Sequence, residues 1–403
     1  MNLHAEVKVG PGSYELAQEI LSILDGMFSH RGAFLALHEP EFNKHSEELV
    51  LECIRSSFVS SIGSFVTQFE TCLAETCGVK HAVAMVNGTA ALEVGLRVVG
   101  VKAGSEVLVP SLTFVATPNA VSHLGAIPHF VDANEFSLSI DPDALMRHLS
   151  KIGRLKEGTL WNKVSDRPIS AIVPVHIFGH PAEMGRILEI ANHFEIPVVE
   201  DAAEALGSLY EDRPCGSLGR LGALSFNGNK IITTGGGGAV VTDNASYAEL
   251  ARHLSTTAKV PHDWAFNHDE IGYNYRMPNI NAALGLSQLT ELEDRIAKKR
   301  RVAKAYVERF ANFQNLNVVT EPKCGRSNYW LNAMLLDPNF AVDREPILQT
   351  LNNAGFMARP AWTPMHQLGI YRTAPRAALP QTNELAARII NLPSSAKLAE
   401  QLL

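Results

Sequence analysis

Between residues 81 and 201 the chain switches repeatedly between two apolar patterns. Short unbroken apolar runs at 81–86, 107–110, 127–131, 171–175 and 197–201 have the length and composition of buried strands. Between them, at 117–124, 141–149 and 182–194, apolar positions recur every three or four residues, as on one face of a helix. Strand and helix patterns that alternate, punctuated by Gly and Pro, predict an α/β fold: a mostly parallel sheet covered by helices on both faces. The polar stretch 154–168 interrupts the pattern and is expected to be a surface loop.

Outside that region the pattern changes. Residues 1–36 form an add-on, in which Pro11-Gly12-Ser13 starts a short helix with Leu16, Ile20, Ile23, Leu24 and Met27 on one face. Gly26 and His30-Arg31-Gly32 should end it. Its apolar face needs cover, from the main body or from another subunit. A second helix is expected over 46–58 with Leu49, Leu51, Cys53 and Ile54 inward, broken by Ser60 to Ser64. A third carries Phe65, Phe69, Cys72 and Leu73 and stops at Gly78. Residues 281–310 read as one long helix with Leu284, Leu286, Leu289, Leu292 and Ile296 inward. Further on, Asn352-Asn353-Ala354-Gly355 closes a helix and Arg359-Pro360 begins an extended loop. The division expected is an extension (1–36), a large domain (37–265) and a smaller α+β domain (266–403).

Composition narrows the classes of function. With 46% apolar and 19% charged residues in 403, the chain is globular. A net charge of −7 gives no long-range attraction to nucleic acid or anionic membranes. The basic run Lys298 to Arg301 lies in a helical pattern among acids and reads as a solvated face. Five scattered cysteines without C-x-x-C spacing predict neither a disulfide framework nor a metal site. Nothing resembles a signal peptide or an 18-residue apolar span, so a cytoplasmic protein is expected.

Candidate chemistry centres on Ser225-Phe226-Asn227-Gly228-Asn229-Lys230-Ile231-Ile232-Thr233-Thr234 and the glycines Gly235 to Gly238. Lys230 reads either as a solvated lysine in a surface hairpin or, with its amine desolvated or set beside other cations, as the usual former of a Schiff base. Three further groups follow predicted strands, where open α/β sheets place their ligands. Gly88-Thr89-Ala90 begins a helix, and free N–H groups there can hold a phosphate, although plain capping explains a Gly-Thr start equally. Asp201 ends an apolar strand, either as a helix cap or as the partner of a protonated ring nitrogen. Phe114 is either core or the cover of a flat ligand. Ser225 adds a hydroxyl to the phosphate group. One ligand, pyridoxal 5′-phosphate, uses a phosphate cradle, an aromatic cover, a buried carboxylate and a reactive lysine together. The four glycines precede a strand and no helix, so they are read as room for backbone close to Lys230, not as a phosphate loop.

Five segments in order then resemble the sugar aminotransferases of the DegT/DnrJ/EryC1/StrS group, which share the aspartate aminotransferase fold (fold type I). They are Asn87-Gly88-Thr89-Ala90-Ala91-Leu92, Pro110 to Thr117, Val199 to Gly207, Ser225 to Gly238, and Gly272-Tyr273-Asn274-Tyr275-Arg276-Met277. The resemblance implies that Lys230 bonds the cofactor and shuttles protons. It implies that Asp201 pairs with the pyridine nitrogen, that Glu204 lies near the phenolic oxygen, and that Phe114 stacks on the ring. Gly88, Thr89 and Ser225 would hold the phosphate, and Asn274 would reach it from a neighbouring subunit, so a homodimer with shared sites is implied. The stretches 225–230 and 259–262 resemble the branch that aminates C4 of UDP-4-keto-6-deoxy-N-acetylglucosamine for bacillosamine and legionaminic acid, hence for surface glycans such as O-antigen. L-glutamate would be the donor, 2-oxoglutarate its product, and pyridoxamine 5′-phosphate the intermediate form. Ser61, His180, Asn227, His262, Trp264 and Arg359 are candidate substrate contacts, with His180 and His262 equally readable as surface histidines. The alternatives are 3-amination or dehydration of another nucleotide keto-sugar, and a non-catalytic regulatory protein that binds the cofactor. Dehydratases of the group carry His where Lys230 stands.

Overall fold

Side chains that alternate along β1 (His81–Met85) show why the short apolar runs become strands. Val83 and Met85 enter one buried cluster, while Ala82 and Ala84 enter another on the opposite face. The structure is a computed structural model that describes residues 11–29 and 34–403, so His30, Arg31 and Gly32 lie outside it. Its first elements are α1 (Pro11–Asp25), α2 (Lys44–Ser56) and α3 (Ser64–Thr76) before β1. Then come α4 (Gly88–Val98), β2 (Glu106–Pro110), α5 (Ala116–His123), β3 (Ile127–Val131), α6 (Pro142–Ile152), β4 (Gly153–Lys156) and β5 (Thr159–Asn162). β6 (Arg167–Ile172), α7 (Met184–His193), β7 (Val199–Asp201), β8 (Leu209–Tyr210), β9 (Arg213–Pro214), β10 (Leu221–Ser225) and β11 (Gly238–Thr242) follow. Beyond them lie α8 (Ala245–Ser255), α9 (Asn279–Thr290), α10 (Leu292–Phe310), β12 (Leu316–Val318), β13 (Gly325–Arg326) and β14 (Asn332–Leu336). The chain ends with α11 (Arg344–Asn353), β15 (Arg359–Pro360), α12 (Pro380–Arg388) and β16 (Ile389–Leu392).

The main sheet runs β1-β11-β10-β7, and single bridges from Ile172 to Val198 and from Val175 to Asp201 set β6 beside β7. β2 and β3 continue it on the far side of β6. All these strands are parallel except β11, which lies antiparallel to both β1 and β10. The carboxyl ends of β1, β2, β7 and β10 therefore share one edge. A second sheet, β12-β14-β16-β15, is antiparallel and built from the last ninety residues or so.

Three expectations change. The polar stretch 154–168 is no loop. β4 and β5 form a hairpin that continues onto β6, turned at Glu157 and Gly158, which both have positive φ, 53° and 73°. Most of its side chains are solvated, while Leu160 is sunk into the core and Asn162 is buried with its amide on Glu106. The long helix of 281–310 is two helices broken at Glu291, whose carboxylate is taken by Asn43 and Arg295. α9 buries Ala282, Ala283 and Gly285, and its leucines Leu284, Leu286 and Leu289 are half-buried. Gly285 permits this: a Cβ there would come within 2.6 Å of the Phe69 ring on α3. Likewise α2 buries Ser46 and Cys53 but leaves Leu51 44% and Ile54 55% exposed.

The cover for α1 comes from its own chain. Leu16, Ile20, Leu24 and, just beyond the helix, Met27 and Phe28 join Tyr306 and Phe310 of α10, Leu351 of α11 and Phe356. Leu24 is fully buried there. Leu24→Ala should therefore lower stability by about 2–4 kcal/mol, the usual range for a buried leucine. Urea unfolding checks this, with cofactor affinity expected to stay at the wild-type value because the cluster lies away from the cavity described next. Among the described residues no helix is long and apolar enough to cross a membrane.

Candidate active site

Four strand ends deliver their loops to one cavity of about 290 Å³. From β1 comes the start of α4. Asn87 is extended and its Oδ1 accepts the Ala90 N–H at 2.8 Å, which leaves the N–H groups of Gly88 and Thr89 to point out of the helix end. Gly88 is required by packing, because a Cβ there would lie 2.8 Å from the Ser225 Cβ. From the other side Gly238 allows β11 to pass the same turn, where a Cβ would fall 2.4 Å from the Asn87 carbonyl carbon. Gly238 thus makes room beside Asn87 and Gly88 and Gly237 beside Thr234 and Met277, and a Cβ at none of the four glycines would meet Lys230, so the expectation that the run makes room at the lysine is corrected.

β2 delivers Thr113, Phe114 and Thr117 to the cavity, with the Phe114 ring 51% exposed. β7 ends at Asp201, almost fully buried. Thr117 Oγ1–H donates to its Oδ2 at 2.7 Å, the Ala203 N–H donates to Oδ1 at 3.2 Å, and Thr113 Oγ1 lies 3.0 Å from Thr117 Oγ1. Burial pushes the Asp201 carboxyl above the usual carboxylate range, against the pull of those bonds and of Lys230. Asp201 therefore caps Ala203 and keeps a carboxyl buried in the wall of the cavity.

Glu204 sits 3.4 Å (Oε1) from the Lys230 Nζ, and its Oε2 accepts the Phe178 N–H at 2.8 Å. Burial raises its carboxyl too, with Lys230 opposing. The Phe178 backbone is left-handed (φ 55°), followed by Gly179 at φ 95°, where a Cβ would collide with the Asn328 side chain at 2.0 Å. This strained turn aims the Phe178 N–H at Glu204 and sets the Phe178 ring 5.1 Å from Trp362.

β10 leads to Lys230 through Asn227 and Asn229, all three lining the cavity. The Lys230 amine stands 4.0 Å from the centre of the Trp330 ring. Beneath the floor, Glu200 accepts N–H bonds from Gly216, Leu218 and Gly219 and meets His176 Nε2 at 2.9 Å. The Ala182 N–H points at His176 Nδ1 at 3.0 Å, so the ring is held between that N–H and the Glu200 carboxylate.

Of the residues singled out in the sequence, Gly88, Thr89, Phe114, Asp201, Glu204, Ser225, Asn227 and Lys230 meet in this cavity. Others do not. Asn274 is exposed and pairs with Thr256, and Ser61 is exposed. His262 Nδ1 accepts the N–H groups of Trp264 and Ala265 in its own turn, and Trp264 is 79% exposed. Arg359 bonds Asn352 and the Ala358 carbonyl at the sheet edge and does not line the cavity. His180 is neither a surface histidine nor a wall of the cavity. It is fully buried, edge-on to Tyr329 at 5.2 Å, and burial pulls its imidazole down to about 4. Sequence reasoning missed Thr117, Asn229, Trp330 and Trp362. Thr117 had a local signal, being one helical turn from Thr113 and inside a segment already singled out. The tryptophans arrive from beyond residue 310, Trp330 just before β14 and Trp362 just after β15, both outside the parallel sheet.

A model of the DegT/DnrJ/EryC1/StrS aminotransferase family matches residues 40–402. EpsN of Bacillus subtilis, named as a pyridoxal phosphate-dependent aminotransferase, is 36% identical over 90% of this chain and 92% of its own. GDP-perosamine synthase of Caulobacter vibrioides is 35% identical over 91% of this chain and 94% of its own. The crystal structure of DesI in the presence of its TDP-sugar product superposes with a TM-score of 0.79 at 30% identity, covering 93% of this chain and 91% of that one.

Proposed function

The chain belongs to the DegT/DnrJ/EryC1/StrS aminotransferase family, and we propose that it carries the amino group of L-glutamate to C4 of a nucleotide-linked 4-keto-6-deoxy sugar, UDP-4-keto-6-deoxy-N-acetylglucosamine. It is a pyridoxal 5′-phosphate-dependent sugar aminotransferase of fold type I. The observation that carries the proposal is one cavity holding a lysine amine, two buried carboxylates and a helix start cleared by Gly88.

The residues present fit the cofactor. The Gly88 and Thr89 N–H groups with the Thr89 and Ser225 hydroxyls would hold a phosphate at the positive end of α4. Phe114 would cover the ring face, Glu204 would lie towards its phenolic oxygen, and Asp201 would meet the ring nitrogen. A carboxylate raised by burial and served only by a threonine and one N–H gains most from such a cation. When bound, the cofactor supplies an electron sink for the pair left at a carbon that loses a proton.

The chain's own groups then do the rest. Lys230 Nζ takes the α-proton of the donor and later returns a proton at C4 of the sugar. Glu204 holds that amine near its working position, and Thr117 keeps Asp201 oriented. Among the other walls, Asn227, Asn229 and Trp362 bring amides and an aromatic face and no charge. Such a surface suits a neutral pyranose ring. Exposed Asn274, Ser61, His262 and Trp264, with the exposed apolar Leu51, Ile54, Phe58, Val59 and Ile62, support a homodimer whose second copy completes each site.

A GDP-linked sugar is the second reading, favoured by relatives named GDP-perosamine synthase. Purified enzyme with L-glutamate and a panel of UDP-, GDP- and dTDP-linked 4-keto-6-deoxy sugars separates the two. Amination of the UDP N-acetyl sugar at least tenfold faster than the others is expected under the first reading, by roughly the energy of one or two lost hydrogen bonds. Preference for the GDP sugar would replace it, and no amination of any would reject both.

A further inference from the structure

Trp330 comes from the segment before β14, yet it is tied to both groups that flank the proposed proton path. Its indole N–H donates to the carbonyl of Asn229, the residue before Lys230, at 2.7 Å, and its face lies 4.0 Å from the Lys230 Nζ. Its backbone N–H donates at 2.8 Å to Asn328 Oδ1, and Asn328 Nδ2 donates to the Glu204 and Leu206 carbonyls at 2.9 Å each. One buried asparagine thus links the tryptophan to the residue that carries the Glu204 carboxylate.

Behind Trp330 stands Lys299 of α10, fully buried, whose ammonium donates to the Trp330 carbonyl at 3.1 Å and to the Ser394 carbonyl. Burial, reinforced by Arg295 and opposed by Glu41, brings its amine down to about 7. Lysine is seldom sunk completely without a charged partner in contact. Here its two acceptors are backbone oxygens of separate segments, and one of them is that of Trp330.

We propose that Trp330 is a positioning residue for the Lys230 amine, keeping the lysine loop and Glu204 in register, and that Lys299 fixes Trp330 from behind. This rests on Lys230 being the proton carrier. The N–H bond stops the loop from sliding. The ring face gives the ammonium a resting place beside Glu204. Because one amine serves both halves of the reaction, a misplaced amine slows both.

The test uses holoenzyme of Trp330→Phe, Trp330→Leu and Lys299→Met. Each half-reaction is followed separately by cofactor absorbance, and hydrogen exchange is read at residues 227–232. Trp330→Leu should slow the glutamate and sugar half-reactions by the same factor, about tenfold to a hundredfold, with KM for the sugar nearly unchanged. Trp330→Phe keeps a face but loses the N–H, so exchange at 227–232 should rise about fivefold while the rest of the chain stays as it was. Lys299→Met should act in the same direction on both readouts. If Trp330→Leu does not fold, the other two variants carry the test. A variant that slows only the sugar half-reaction would make Trp330 a sugar contact and overturn the proposal. Unchanged exchange at 227–232 with both half-reactions at wild-type speed would overturn it as well. Wild-type enzyme that never reacts with glutamate would instead defeat the underlying reading of Lys230.

Discussion

Lys230→Ala is expected to stop net transamination, with a fall in turnover of about 10⁴-fold, because the same amine is asked for two proton transfers. The geometry leaves little to take its place. Among the residues lining the cavity Lys230 is the sole cation, and the other titratable groups there, Asp201 and Glu204, are carboxyls held by bonds to Thr117, Ala203 and Phe178. Glu204 has one oxygen on the Phe178 N–H, fixed by a strained turn, and cannot swing to follow a carbon centre without releasing it. Two measurements check this. Borohydride should no longer fix the cofactor to the protein, and the absorbance change on adding L-glutamate should be slower by the same large factor. The phosphate cradle is untouched, so cofactor should still bind, more weakly. A variant that aminates the sugar at a tenth of the wild-type rate would remove Lys230 from the role proposed for it.

How far the sequence discloses this site depends on where each residue sits relative to a strand end. Gly88, Phe114, Asp201 and Ser225 each stand within a few residues of a strand in the parallel sheet, and strand ends of such sheets converge. Their meeting follows from a period and a topology rule. Trp330 and Trp362 follow no such rule, for they reach the cavity only after the second sheet has been placed beside the first. His180 shows the opposite failure. A histidine just past a buried strand passes for a ligand in one dimension, yet its ring is sealed behind Tyr329. The break at Glu291 was equally hidden, because leucine spacing continues through it. The interruption comes from Asn43 and Arg295, which lie on either side of it in sequence and claim the same carboxylate. Periodicity reports faces, and it is silent about which sheet a face will meet.

Asp201→Asn should raise the stability of the cofactor-free protein at neutral pH while removing most of its activity. Burial raises the Asp201 carboxyl above its ordinary value of about 3.9. Between that value and the raised one, the folded chain keeps a proton that the unfolded chain has released. Stability then falls as pH climbs through that window, and it stays reduced above it. Asparagine carries no charge to bury, so the variant escapes the loss, at about 1.4 kcal/mol for each unit of the shift. Glu204 is raised for the same reason and leaves part of the pH slope in place. With cofactor bound the order should reverse, because in the role proposed for Asp201 a cation at the ring nitrogen would stabilise the aspartate and do nothing comparable for the amide. The shift in melting temperature on adding cofactor at pH 7 should thus be larger in wild type than in the variant. The glutamate half-reaction should slow by about 10²–10³-fold, the cost of removing one preorganised charge from a site where charge develops. A cofactor-free variant less stable than wild type at pH 7, with its half-reaction intact, would assign Asp201 to capping Ala203 and nothing more.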